Sequence, residues 1–382
     1  MITTLPACTV ARLRLHNFRN YHEATLHLEP GLTVISGRNA QGKTNLLEAV
    51  ATLALTRSPR AVTAADLLRW GTNGAQVEAD ILRPGGPAAL ALRLEQPATG
   101  TIARRTLVDG KPRAARAVLG LCPVVLFWPD DLQLVKAGPE GRRRLLDVLL
   151  AQLDGRAASH LLRYRRVLEQ RNALLHRLRA DGGSPAALHG FTRELAHHGA
   201  RVLVARNQLA SKLAPLAAAA MSDLSGGDDT LSIRYAASHG GDLADDDAAE
   251  RDLLAALERR TPDEIARGVT LVGPHRDDLV LSLGGREARY TASQGQQRSI
   301  VLACKIAEMR HVAEEKGMSP VVMLDDVVSE LDAPRRRHLL STLAAAPAQQ
   351  VLLTSTERVA DTSEFAAVHH LTVSAGTVGA GR

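Results

Sequence analysis

Aromatic side chains are scarce in this 382-residue sequence, at 3% with two tryptophans, and a surface that stacks successive bases of a single strand needs several of them. Cysteine is scarcer still. Cys8, Cys122 and Cys304 are odd in number, far apart and without a C-x-x-C pair, which speaks against a disulfide framework or zinc ribbon and suits a reducing cytosol. No apolar run approaches the length that crosses a bilayer. The expected location is therefore cytoplasmic, without a membrane partner. What remains is an ordinary globular balance, 45% hydrophobic and 23% charged. The 47 Lys and Arg exceed the 41 Asp and Glu to give +6, a balance that permits a polyanionic partner and leaves the decision to where the charge lies.

The stretch Gly37-Arg38-Asn39-Ala40-Gln41-Gly42-Lys43-Thr44 fits the phosphate-loop pattern G-x-x-x-x-G-K-[ST] at every fixed position. Its glycines let backbone N–H groups turn inward around phosphate oxygens, Lys43 brings charge to the β and γ phosphates, and the Thr44 hydroxyl can ligate Mg²⁺. Leu32 to Ser36 reads as a buried strand and Asn45 to Leu55 as a helix. The positive end of that helix would face an ATP or GTP phosphate chain. A second half-site follows at Val321 to Asp326, an apolar run ending in two acids that matches a Walker B strand. Asp325 is placed to hold Mg²⁺, directly or through water, and Asp326 to orient or deprotonate the attacking water.

Ser293 and Gln296 have the spacing of a capping box. The same Ser-x-Gly-Gln segment, Ser293 to Gln296 with Gly295 inside it, also suits the signature of ABC-type ATPases, which binds the γ-phosphate held by the opposite subunit. A decoy at Ser225-Gly226-Gly227 precedes an acidic turn and a strand-like run rather than an amphipathic helix. Ser329 to Asp332 resembles the D-loop of the same superfamily. Thr354-Ser355 stands where transporter ATPases carry a switch histidine, which argues against a transporter and leaves γ-phosphate sensing to a hydroxyl.

Alternation at Arg12 to Leu15, Ala24 to Leu28, Val77 to Ile81 and Leu90 to Leu94 predicts an antiparallel sheet around the phosphate loop. From Pro139 the pattern turns helical for about eighty residues, and Gly182 to Pro185 marks the turn of a short antiparallel hairpin. Gly240 to Asp252 reads as an exposed acidic loop, and the Ala- and Gly-rich end as a tail without order. Residues 142 to 179 hold ten arginines against three acids. With so few local acids, Arg163, Arg165 and Arg166 are expected to contact duplex phosphates.

Together Asn17 to Tyr21, Gly37 to Asn45, Gly138 to Leu146, Gly273 to Asp278, Ser293 to Arg298 and Leu324 to Asp332 resemble the RecF family of bacterial recombination and repair proteins. The resemblance implies an α/β fold: an ABC-type, SMC-like P-loop ATPase head with mixed parallel and antiparallel sheets and an inserted short helical arm. Domains are expected at 1–124 (head with Walker A), 125–265 (arm) and 266–382 (signature helix, Walker B and D-loop). It implies ATP and Mg²⁺ as cofactors, with Gly37 to Asn45, Arg19, Ser293, Gly295, Gln296 and Asp332 at the nucleotide, Thr44 and Asp325 at the metal, and Lys43 and Asp326 in catalysis. It further implies an ATP-dependent homodimer on double-stranded DNA and single-strand/double-strand junctions, working with RecR and RecO to load RecA. An SMC chromosome protein would need arms of several hundred residues, which this chain lacks.

Overall fold

The computed structural model describes residues 6–97, 100–227, 229–345, 350–356, 359 and 362–381. The chain splits into two compact units, residues 1–132 with 301–382, and residues 133–300.

The first unit holds two six-stranded sheets. Strands β1 (Thr9–Phe18), β2 (Tyr21–His27) and β3 (Gly31–Ser36) come first, and helix α1 (Lys43–Ala54) follows the phosphate loop. Then come β4 (Gly74–Leu82), β5 (Ala88–Glu95), β6 (Ala103–Val108), β7 (Lys111–Arg113), the short α2 (Ala115–Val118) and β8 (Val124–Phe127). One sheet is antiparallel in the order β2-β1-β4-β5-β6-β7. Its strands alternate, with Val77, Ala79 and Ile81 inward and polar residues between them, as a sheet with one wet face requires. By contrast, β8 is apolar throughout and β3 apolar at its centre except for Thr33, and both are buried on both faces. Helix α1 packs against strands of both sheets, and ten of its twelve residues are buried.

The second unit begins with α3 (Gln133–Lys136), α4 (Pro139–Leu153), α5 (Gly155–Asp181) and α6 (His189–Ser225). It continues through β9 (Leu231–Ala236), α7 (Asp246–Arg267), β10 (Asp278–Leu283), β11 (Arg286–Glu287) and α8 (Ala288–Thr291). Helices α5 and α6 form the expected hairpin, with Leu175 and Leu178 of one meeting Leu188 before the other. The acidic stretch departs from expectation: only its first part is loop, and from Asp246 it is helix. Asp245 caps that helix by accepting from Ala248 N, and Asp246 and Asp247 favour the positive first turn. Ser225 of the decoy ends α6, with Gly226 as its left-handed cap.

Helix α9 (Gln294–Lys316) leads back to the first unit, which closes with β12 (Val321–Asp325), α10 (Ala333–Ala344), β13 (Gln350–Ser355), β14 (Val368–Ser374) and β15 (Thr377–Ala380). The second sheet runs β15-β14-β3-β13-β12-β8, parallel from β14 to β8. The expected disordered tail is instead a hairpin, with β14 parallel to β3 and turned at Ala375 and Gly376, both at positive φ. The boundaries expected after 124 and 265 fall at 132 and 300 by compactness. Residues 266–300 join the helical unit because β10 pairs with β9 along its whole length and packs on α4.

Candidate functional site

The phosphate loop joins the end of β3 to the start of α1, with Arg38, Asn39 and Ala40 exposed at its crest. Gly42 is required twice over. Its φ of 114° suits glycine, and a Cβ there would lie 2.5 Å from Asn20 Nδ2 and 2.9 Å from Tyr21 Oη. Those two residues brace the loop: Tyr21 Oη donates to Gly42 O at 3.0 Å, and Asn20 Nδ2 donates to Gln41 O at 2.9 Å. Asn45 Nδ2 donates to Asn20 Oδ1 at 2.8 Å. The terminal hairpin braces the loop from another side, through Ala375 N to Gln41 Oε1 at 2.6 Å and Gly376 N to Gln41 O at 3.2 Å.

Lys43 is buried and folds back over the loop, donating to Gly37 O at 2.7 Å and Arg38 O at 3.3 Å. Helix α1 starts with no side-chain cap and no acid in its first turn. Asn45 N already donates to Gly42 O at 3.0 Å, and the positive end of the helix is otherwise left for an anion, which is the arrangement a phosphate fits.

The Walker B acids meet this loop. Asp325 Oδ1 accepts from Thr44 Oγ1 and from Thr354 Oγ1, each at 2.8 Å. Burial pushes the Asp325 carboxyl above its ordinary value, and the Thr354 and Thr44 hydroxyls work against that rise. Thr44 can keep its proton on Asp325 while turning a lone pair toward a cation, and hydroxyl with carboxylate is a hard-oxygen donor set of the kind Mg²⁺ takes. Among the described residues no group of three or more His, Cys, Asp or Glu could hold a metal. A cation here would complete its shell from phosphate and water, as Mg²⁺ does at nucleotides.

Asp326 stands in the left-handed region, φ 52° and ψ 9°, where a non-glycine residue is held only by its surroundings. Its N–H donates to Thr354 Oγ1 at 3.0 Å. Its Oδ1 is buried and has no hydrogen-bond partner among the described residues, so its acceptor capacity is unspent. The Thr354 hydroxyl thus serves both acids, donating to one and accepting from the backbone of the other. At Thr354, one of the two adjacent hydroxyls expected to sense the γ-phosphate, the proton goes to Asp325. Asp332 caps α10, accepting from Arg335 N at 3.0 Å and pairing with the Arg335 guanidinium.

Arg19, expected at the nucleotide, has partners within the protein. Its fork is closed on Glu48, at 2.9 Å from Nε and 2.6 Å from the terminal nitrogen. Glu48 is fully buried and accepts from Ser58 Oγ as well. The pair pins the β1–β2 turn to α1. An acid four residues after Thr44, among the mostly apolar buried positions of the helix, was the available signal for this pair.

In the helical unit the capping box at Ser293 is formed in both directions. Ser293 Oγ accepts from Gln296 N at 3.3 Å, and Gln296 Oε1 accepts from Ser293 N at 3.0 Å. Ser293 is exposed, Gly295 half-buried, and Gln296 Nε2 donates to Asp229 Oδ1 at 3.1 Å. The segment Gly273 to Asp278 ties this unit together. Asp278 takes both prongs of the buried Arg142, and Asp277 accepts from Tyr235 Oη at 2.5 Å and Ser238 N at 2.6 Å. Arg206 donates to Pro274 O at 2.7 Å. His275 Nε2 faces Thr270 O at 3.1 Å and must carry the proton, so Nδ1 accepts from Tyr164 Oη at 2.7 Å. Burial holds this imidazole neutral, with its pKa down to about 4.

The arginine run is less free than its local acid count suggests, because distant acids reach it: Arg142 belongs to Asp278 and Arg171 to the fully buried Glu264 at 2.7 Å, while Arg165 takes Asp147, one of the three local acids, at 2.9 Å. Arg163 and Arg166 are exposed.

The family model for the RecF/RecN/SMC N-terminal domain matches residues 9–373. A DNA replication and repair protein RecF of Chloroflexus aurantiacus is 42% identical over 393 residues, spanning 97% of this chain and all of that one. The chain belongs to the RecF family. A RecF of an Anaeromyxobacter species is 43% identical over 354 residues, spanning 91% of this chain and 92% of the relative. Among solved structures, the recombination mediator protein RecF with ATP in the RecFOR pathway superposes with a TM-score of 0.89 at 28% identity, over the full length of both chains. The Smc head domain of Pyrococcus furiosus, at 14% identity and a TM-score of 0.53 over 97% of this chain and 95% of that one, shares the fold. RecF and SMC heads thus carry the same mixed-sheet, ABC-type architecture as this chain, and no described helix is long and apolar enough to cross a membrane.

Proposed function

We propose that this RecF-family chain is an ATP-dependent DNA-binding protein of recombinational repair and replication-fork maintenance. It dimerises on DNA when ATP is bound, prefers duplex and single-strand/double-strand junctions, and helps RecR and RecO load RecA at single-strand gaps. The observation that carries this reading is the bond from Thr44 to Asp325, which joins a phosphate loop to a Walker B acid within a RecF-family chain.

In this reading Gly37 to Asn45 wrap the triphosphate with backbone N–H groups, and Lys43 leaves its two carbonyl partners for the β and γ phosphates. Thr44 and Asp325 would hold Mg²⁺, which when bound neutralises charge developing on the phosphates. Asp326 orients the attacking water with its unpaired carboxylate oxygen. Ser293, Gly295 and Gln296 belong to the unit that lacks the phosphate loop, and they complete the site of a second copy, to which Asp332 also contributes. Turnover is weak, stimulated by DNA, and releases the dimer. Arg163 and Arg166 meet the DNA backbone, with Arg165 secondary because Asp147 holds it.

Mixing two inactive variants tests the composite site. Ser293→Arg and Lys43→Ala each lose both sites of their own dimers, whereas a mixed dimer keeps one intact site. ATP turnover in the mixture should rise well above either variant alone. A mixture that forms dimers yet stays at the level of the separate variants would overturn the shared site.

A further inference from the structure

Helix α5 has two faces. Its inner face carries Ala157, Leu161, Tyr164, Arg171, Leu175 and Leu178, all buried. On the opposite side Arg156, Arg163, Arg166, Gln170, Ala173 and Arg177 are exposed. Their spacing of seven, three, four, three and four keeps them in one straight stripe along the helix. The stripe is free of acids from end to end. Glu169 sits beside it, and Asp181 lies one turn beyond its last residue. Among the described residues none of these four arginine side chains enters an ion pair, in contrast to Arg142, Arg165 and Arg171. Those arginines tie the fold together from other faces of the helices, so the exposed four are left without a structural task.

We infer that this outer stripe of α5 is a rail for the sugar-phosphate backbone of duplex DNA. The inference rests on the proposed DNA-binding function and narrows its surface to one helix face. The stripe from Arg156 to Arg177 is about 31 Å long at the rise of an α-helix, close to the roughly 34 Å of one duplex turn. Its cations form three stations, Arg156, the Arg163 and Arg166 pair, and Arg177, separated by gaps of about 10 and about 16 Å. A rod lying along a duplex meets backbone at unequal intervals, because the two grooves between the strands differ in width. Guanidinium forks suit phosphate, and Gln170 adds a hydrogen bond that reads no sequence. Ala173, in the longer gap, carries only a methyl group and leaves the helix open to close approach. The stripe holds no aromatic residue, so unpaired bases find nothing on it to stack against. An acidic protein would be met by charge alone, without the repeat that the duplex matches.

The test uses the full chain with ATP and a duplex of about 30 base pairs, roughly three turns, with affinity followed by fluorescence anisotropy from low to high salt. The rail variant is Arg156→Gln, Arg163→Gln and Arg177→Gln together. A control removes the same charge from exposed arginines of the same unit off the stripe, Arg179→Gln, Arg193→Gln and Arg259→Gln. The rail variant should bind about two orders of magnitude more weakly at 100 mM salt, and its log–log salt slope should flatten by roughly 2.7, about 0.9 for each lost contact. The control should match wild type. Equal affinity and slope in wild type and the rail variant would overturn the rail and leave the DNA-binding function standing. Loss of equal size in the control would overturn it too, by showing that only total charge matters. Failure of wild type to bind duplex at all would overturn the proposed function, and the rail with it.

Discussion

Replacing Thr354 by valine keeps the shape of a side chain that is 1% exposed and removes only its hydroxyl. Two bonds disappear: the one donated to Asp325 at 2.8 Å and the one accepted from Asp326 N–H at 3.0 Å. A hydrogen bond to a charged group contributes about 1.5 to 3 kcal/mol, and a buried N–H left unmet costs about 1 to 3 kcal/mol. The folded state should therefore lose roughly 3 to 5 kcal/mol. The loss falls where it also bears on chemistry, since Asp325 keeps only Thr44 against a burial that already disfavours its charge, and Asp326 loses a tether to its strained backbone. If about 2 kcal/mol of the loss is felt as misplaced acids, ATP turnover falls roughly thirtyfold. Thr354→Ser keeps the oxygen and should restore most of both. Urea denaturation reads the first effect and steady-state phosphate release the second. Wild-type turnover and an unshifted urea midpoint in Thr354→Val would refute the double role of this hydroxyl.

Two further outcomes follow from the helical unit. His275 has a folded-state pKa of about 4 against 6.5 for the free side chain, so it stabilises the fold fully above pH 6.5. That contribution is lost as pH falls from 6.5 through 4, by up to about 3 kcal/mol; urea midpoints at pH 7.5 and 4.5 should differ less in His275→Gln than in wild type, and an identical pH dependence would argue against it. Arg171→Met should destabilise by about 3 to 5 kcal/mol because it strands the buried Glu264 carboxylate. Adding Glu264→Met should recover part of that loss, and a double variant worse than the single would contradict the pairing.

The parts of the site legible in sequence are those whose physics is local. The phosphate loop, the capping box at Ser293 and Gln296, and the buried strand before Asp325 each depend on residues within a few positions of one another. Partnerships across long sequence distances were not legible. The stretch looked free because it holds few acids, yet Arg142 and Arg171 draw on acids beyond residue 260, while Arg165 takes Asp147, one of the three acids the stretch does hold. Thr354 was visible as a hydroxyl in place of a switch histidine, but its direction is set by the pairing of β12 with β13, which puts it opposite Asp325. The terminal hairpin was hidden by composition. Alanine and glycine suggest disorder, whereas Ala375 and Gly376 supply the positive φ values of a tight turn that holds Gln41. The start of α7 was misread for a related reason, since acids that look like a solvated loop are also what a helix N-terminus favours.

The central claim is that bound ATP joins two chains, each completing the site of the other. Sedimentation of Asp326→Asn with saturating Mg-ATP and a short duplex tests it most directly, because slow hydrolysis should trap the joined state. Two chains per particle with ATP, one without it, and one for Lys43→Ala under either condition is the predicted result. Asp326→Asn sedimenting as a single chain with ATP and DNA both bound would contradict the claim.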